Sequence, residues 1–293
     1  MTRKDFLQSL LFAPLAVQSM KLDVLNELIP AGKAAGKMPA LFLGHGNPMN
    51  AIRDNEFVRE FKKLGKTLPK PAAVLCISAH WETKGTFLTA MENPKTIHDF
   101  GGFPDELFAV QYPAAGNPAL AAEVSKMTEN KALPDYSWGF DHGSWTVLRH
   151  LYPAADVPVV QLSLDYRMTS RQHYELATQL ASLRQRNVLI VGSGNMVHNL
   201  GKVAWNRLEE SGFAYDWALE ANDFMKSRIV SGDHPALINY QSQGAAMKLA
   251  VPSPEHFLPL LYILAMQDKK DEISFFNDTA VAGSLTMTSV KVG

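Results

Sequence analysis

The chain has 293 residues, a formal net charge of −1, a pI near 6.8 and a single cysteine. A charge balance this close to neutral excludes the basic footprint of a nucleic-acid binder, and one thiol excludes an intramolecular disulfide. At this length folding buries about three quarters of the surface the unfolded chain exposes, so an apolar core suffices without covalent staples.

The first twenty residues, MTRKDFLQSLLFAPLAVQSM, place Arg3-Lys4 ahead of an apolar stretch broken by Gln8, Ser9 and Pro14. They read either as an amphipathic helix of a cytoplasmic protein, the preferred reading, or as an imperfect twin-arginine-like signal leading to the periplasm. The small residues and lysines of AGKAAGK (31–37) read as a flexible joint. Residues 1–37 are therefore expected to be an extension and 38–293 the folded domain. No later run of ~20 apolar residues predicts a membrane span.

Beyond the joint, short apolar runs alternate with helical patterns. Strands are expected over 39–44, 72–78, 158–164, 188–193 and 284–291, and helices over 118–129, 170–185, 215–230 and 255–266. The runs VLCIS, VPVVQLSL and VLIVG are continuously apolar, as strands covered on both faces require. Strands alternating with helices in this way predict an α/β sheet layered between helices. Cys76 lies inside one such run and reads as a small buried hydrophobe.

Three runs end alike. ALFLGHGNPM (40–49) delivers His45, AAVLCISAHW (72–81) delivers His80, and VLIVGSGNMVHNL (188–200) delivers His198 after a Gly-rich turn. Ligands of open α/β sheets bind beyond the carboxyl ends of the strands, so these imidazoles are expected to converge there. DHGSW places His142 in a loop entering a helix, and PSPEHF places His256 in a first helical turn with Ser253 as cap and Pro254 behind it. Any one of these histidines alone reads as a hydrogen-bonded structural residue. Five in comparable positions argue for a zinc, iron or copper site, because neutral imidazole is the commonest metal-binding side chain. His98, in TIHDFGGFP, sits in a loop suited to lining a pocket, whereas His150, His173 and His234 read as structural.

The motifs PALFLGHGNPMNA (39–51), SAHW (78–81), TIHDFGGFPDELF (96–108), WGFDHGSW (138–145), VPVVQLSLD (157–165), GSGNMVHNL (192–200) and PSPEHFLPLLY (252–262) resemble the DODA-type extradiol ring-opening dioxygenases in order and spacing. The resemblance implies a single-domain α/β sandwich with a mixed central sheet and helices on both faces. It also implies opening of a catechol ring, DOPA-like, with insertion of both atoms of O₂. The ligands it implies for one divalent ion are His45, His80, His198 and His256, with zinc as the family-bound ion and Fe(II) as the ion for ring opening. His142 is then a candidate acid/base oriented by Asp141, with His198 as the rival for that role. Trp81, Trp145 and Phe103 are candidates for an aromatic wall, although each reads first as a core residue.

Two other readings use the same residues. A zinc hydrolase would draw on Glu82 or Glu255 as base, and a non-catalytic metal-binding interaction protein would share the fold. The Gly-rich turn GSGN (192–195) also invites a phosphate cradle, but only Lys202 stands near it in sequence. The expected partners are a small catechol and O₂, with no nucleic acid and no membrane span.

Overall fold

A computed structural model describes residues 36–208 and 210–293, so the N-terminal signal reading and most of the expected joint lie outside the described residues. Lys37–Gly293 forms one compact unit. Lys37 itself belongs to that unit, because its Nζ sits between the carboxylates of Asp268 and Asp271.

The strands are β1 (Ala40–Gly44), β2 (Ala73–Thr83), β3 (Thr86–Thr89), β4 (Ala132–Asp135), β5 (Val159–Asp165), β6 (Val188–Gly194), β7 (Ile273–Phe276), β8 (Ala280–Val281), β9 (Leu285–Thr286) and β10 (Ser289–Val292). Eight of them form one sheet in the order β4-β3-β5-β2-β6-β1-β10-β7. Its centre, β5-β2-β6-β1, is parallel, while β3 joins β5 and β10 joins β1 antiparallel. The sheet is therefore mixed. The expected strand over 284–291 is really two short strands, since Met287-Thr288 separates β9, paired with β8, from β10 in the main sheet.

The helices are α1 (Glu56–Thr67), α2 (Asp105–Phe108), α3 (Pro118–Met127), α4 (His142–Leu151), α5 (Ser170–Thr178), α6 (Asp216–Ser231), α7 (His234–Ile238), α8 (Ala245–Ala250) and α9 (Leu258–Ala265). Alternate side chains of each central strand enter different cores. Ala40, Phe42, Leu75, Ile77 and Ile190 pack with α5, α6 and α9 residues such as Leu176, Met225 and Leu261. Leu41, Leu43, Val74, Cys76 and Val191 pack on the other face with Phe61 of α1 and Trp145, Val147 and Leu148 of α4. Both faces are dry, which explains the continuous apolar runs.

Two helices differ from expectation, one at its end and one at its start. The helix predicted over 170–185 ends at Thr178 and gives way to a 3₁₀ segment, Ala181–Arg186. The helix predicted from 255 begins only at Leu258, and Ser253 donates its hydroxyl to Glu255 instead of capping it. His256 is thus on a turn ahead of α9. No helix among the described residues is long and apolar enough to cross a membrane.

Candidate active site

The parallel centre brings the carboxyl ends of β1, β2 and β6 to one edge of the sheet. His45 follows β1 directly, with its amide donating to the Gly194 carbonyl at the end of β6. His80 lies within the last turns of β2. The segment before α9 is drawn over this edge because Gly194 has no side chain: a Cβ there would stand 2.1 Å from the His256 carbonyl oxygen. Asn195 then donates its amide to that carbonyl and fixes His256 beside the other two.

Hydrogen bonds on the outer nitrogens decide which way the imidazoles look. Ser193 donates its one hydroxyl proton to the Gly143 carbonyl, so it accepts from His45 Nδ1–H at 3.0 Å. His45 Nε2 therefore carries a lone pair, and it faces His80 Nε2 at 3.1 Å. His256 Nδ1 is bonded to Glu255 Oε1 at 3.1 Å. One nitrogen from each of His45, His80 and His256 lies within 4.8 Å of the others, and two further groups, His80–Asp99–His142 and His198–Glu255–His256, adjoin this one. Lone pairs aimed at one point, with N–H groups anchored outside, are what a divalent ion needs from neutral imidazoles. The residues present fit such an ion.

Burial keeps them neutral. It holds the His45 and His256 imidazoliums well below their usual pKa, with the neighbouring histidines adding to the effect. Burial, and then His142, pushes His80 down to about 3 against the opposing pull of Asp99. Burial likewise pushes His198 down to about 4, opposed by Glu255. Metal ligands must be deprotonated, so these shifts remove a competing proton at neutral pH.

His198 and His142 stand apart from that trio in geometry. The His198 ring stacks on His256 with centroids 3.5 Å apart and planes 8° from parallel. Ring lone pairs lie in the ring plane, so two rings stacked face to face do not point at a common ion. His142 is the first residue of α4, and its amide and Nδ1 both donate to Asp99, each at 2.8 Å. Burial raises the Asp99 pKa, but the bonds from His142 outweigh it and hold the carboxyl below its usual range. The expected orienting partner was Asp141, and here the structure corrects the expectation. Asp141 is fully buried, caps α4 through the Ser144 amide and accepts from Ser78 and Gln161, so its oxygens are taken up by partners other than His142. Burial, then Asp99, raises its pKa to about 6.

The remaining expectations sort themselves by contact. Trp145 is buried and donates Nε1 to Ile97, Trp81 stacks on Trp138, and Phe103 lines a groove with Asn47, Met49 and Met287. Phe100, inside the TIHDFGGFP loop expected to line a pocket, packs edge-on to His142 at 5.5 Å and to Phe103 at 5.3 Å. His98 bonds the Val110 carbonyl, His150 the Asn50 carbonyl, His173 the Tyr262 hydroxyl and His234 Gln267, so each is structural. Ser193, which the GSGN stretch places inside β6 rather than in a turn, supports an imidazole where a phosphate cradle was one reading.

A family model described as the catalytic LigB subunit of aromatic ring-opening dioxygenase matches residues 39–287. The chain belongs to this family. It is 46% identical to the 4,5-DOPA dioxygenase extradiol of Escherichia coli (strain K12), over 88% of this chain and 95% of that one. It is 32% identical to the protein of the same name from Beta vulgaris, over 85% and 94%. The solved structure of an uncharacterized Escherichia coli K12 protein, 43% identical, superposes with a TM-score of 0.75 over 87% of this chain and all of that one. The family member described here is a metal-dependent extradiol ring-cleaving dioxygenase, not a hydrolase or a silent binding module.

Proposed function

We propose that this enzyme opens a catechol of the DOPA class beside its two hydroxyls, with Fe(II) as the working ion held by His45, His80 and His256. The observation that carries this reading is the facing pair of Nε2 atoms on His45 and His80, 3.1 Å apart, with the first tautomer fixed by Ser193. The substrate class rests on the names of the relatives. The ion supplies Lewis-acid polarisation of the catechol oxygens and a redox partner for O₂, a task zinc, having no redox chemistry, does not perform.

The chain's own residues divide the remaining work. His142, its Nδ1–H held by ionised Asp99, keeps Nε2 free to accept a catechol proton, and the carboxylate steadies the imidazolium that forms. His198, stacked on a ligand but aimed elsewhere, hydrogen-bonds the bound substrate. Phe100 and Phe103 confine the ring. A lone buried thiol, Cys76, and an oxidisable ion both suit a reducing compartment, so the cytoplasm is the favoured location.

Reconstitution with Fe(II) and incubation with L-DOPA under air tests the reading. One O₂ consumed per catechol and a yellow semialdehyde product are expected, with the zinc-loaded protein inactive. Absence of O₂ uptake with every catechol tried, in protein that holds Fe(II), overturns it. Replacing His142 by alanine is expected to retain metal and lower turnover about 10²–10⁴-fold, and a larger loss in His198→Ala than in His142→Ala would exchange their roles.

A further inference from the structure

The carboxyl end of α4, opposite His142, borders a groove of about 640 Å³ lined by Arg53, Lys62, Lys66, Arg149 and His150 against one carboxylate, Asp54. The groove is assembled by close packing. Gly65 of α1 lies so near Leu151 that a Cβ would stand 2.3 Å from its carbonyl oxygen, and this approach sets Lys62 and Lys66 beside Arg149. The two lysines are four residues apart on α1 and share a face. Asp54 is divided between Lys62 and Arg59, at 3.4 Å from each, so it does not neutralise the group.

Arg149 is the group out of balance. Its Nη1 is buried and has no hydrogen-bond partner among the described residues, and burial lowers the guanidinium pKa. Arg149 as a residue is half-buried, so its guanidinium borders the groove while Nη1 lacks an acceptor; a charged donor left unpaired is costly, and proteins rarely keep one without a use. The helix dipole explains part of the clustering, since cations favour a helix carboxyl end. It does not explain the unpaired nitrogen, because Arg149 Nη1 reaches none of the terminal carbonyls. His150 adds no charge at neutral pH, as burial lowers its pKa while its Nε2 bonds the Asn50 carbonyl.

We propose that this groove binds a small doubly charged oxyanion of the phosphate class, gripped by Arg149 from the wall and by Lys66 and Lys62 from the rim. A guanidinium offers two parallel donors that match adjacent phosphoryl oxygens, and lysines serve as mobile point charges around them. The site is separate from the ring-opening centre, since the ten-residue α4 spans about 15 Å between His142 and the groove.

The test is isothermal titration of the metal-loaded full chain with orthophosphate and, in a second arm, with glycerol 3-phosphate, using chloride as control. One saturable site per chain is expected, weakened at least tenfold in Arg149→Met. It is expected to weaken also in Lys66→Met, whose exposed side chain is removed without loss of packing. Binding preferred for the monoester identifies a phosphorylated metabolite, and equal binding identifies free phosphate. Binding must survive in His45→Ala, which separates this groove from phosphate taken up by the metal. No saturable uptake below about 10 mM, or equal affinity in both charge variants, overturns the proposal.

Discussion

Two buried polar clusters occupy opposite edges of the same sheet, and they are finished differently. At the amino edge, Arg184 is fully buried, yet all five of its N–H donors are used. Nε reaches the Met38 carbonyl, Nη1 the Met266 carbonyl and Asp271, and Nη2 Asp271 and the Val292 carbonyl. Nothing is left over, so the cluster is structural. At the carboxyl edge, the histidines are anchored only on their outer nitrogens, by Ser193, Glu255 and Asp99, while inner nitrogens face one another. His45 Nε2 and His80 Nε2 stand 3.1 Å apart, so a proton shared between them without the ion occupies the place that a cation takes when it binds. Donors spent on backbone carbonyls and one carboxylate mark the first cluster as architecture, and imidazole nitrogens converging on one point mark the second as a candidate site.

The sharpest way to break this comparison is to mutate each cluster and read both stability and metal. The His45→Ala/His80→Ala double variant is expected to fold, lose its ion as measured by plasma mass spectrometry, and lose ring opening altogether. Arg184→Met is expected to lower stability by about 3–5 kcal/mol in denaturant unfolding, because it removes the donor from three buried carbonyls and leaves Asp271 with Lys37 as its one cationic partner among the described residues, while metal per folded chain stays unchanged. A double variant that keeps stoichiometric metal would remove the basis of the comparison.

Asp99→Asn tests the outer anchors. The amide still accepts from the His142 backbone but no longer steadies an imidazolium, so turnover is expected to fall about 10–100-fold with metal retained. Loss of metal equal to that of the double variant would show instead that Asp99 acts through the ion.

The clusters also differ in their response to pH. His80, His198, His45 and His256 have folded pKa values below the unfolded 6.5, so the unfolded chain takes up protons first. The stability of the metal-free protein is therefore expected to decline as pH falls below about 6.5 and to go on declining toward 4. Asp141, raised to about 6 by burial and then by Asp99, works in the opposite direction over the same window, and one carboxyl offsets only part of four imidazoles. Urea midpoints of the metal-free protein at pH 7.5 and 5 measure the net sign. The Arg184 cluster contributes nothing to this window, because a guanidinium does not titrate there.

Much of this was legible in the sequence, for physical reasons. Strands covered on both faces are written as unbroken apolar runs, so β1, β2, β5 and β6 were found, and their carboxyl ends carried His45 and His80. The edge strands β4 and β7, and β3 beside β4, are short and carry mixed residues, and no run marks them. The amphipathic α1 and the role of Asp141 as its helix's cap were also missed, although Asp141 before HGSW is a cap signal. The two residues that orient the imidazoles, Asp99 and Ser193, lie 43 residues from His142 and 148 from His45. Pairings over such distances are made by the folded sheet, and no local pattern announces them. His142 and Asp141 are adjacent, and adjacency suggested a partnership that helix capping prevents.

The smallest expected effect concerns residues 1–35. None of the proposed site residues lies there, and Lys37 would be retained, so a chain starting at Gly36 is expected to keep metal content and ring opening within about twofold. Loss of activity with metal retained would assign the segment a part in the reaction.

The most direct measurement of the central claim is X-ray absorption at the metal edge, comparing the reconstituted protein with its His198→Ala variant. Three imidazole ligands in both, with matching metal content, are the predicted result, because the stacked His198 ring does not aim at the ion that His256 is proposed to hold. Four imidazoles in the unaltered protein and three in the variant would contradict it.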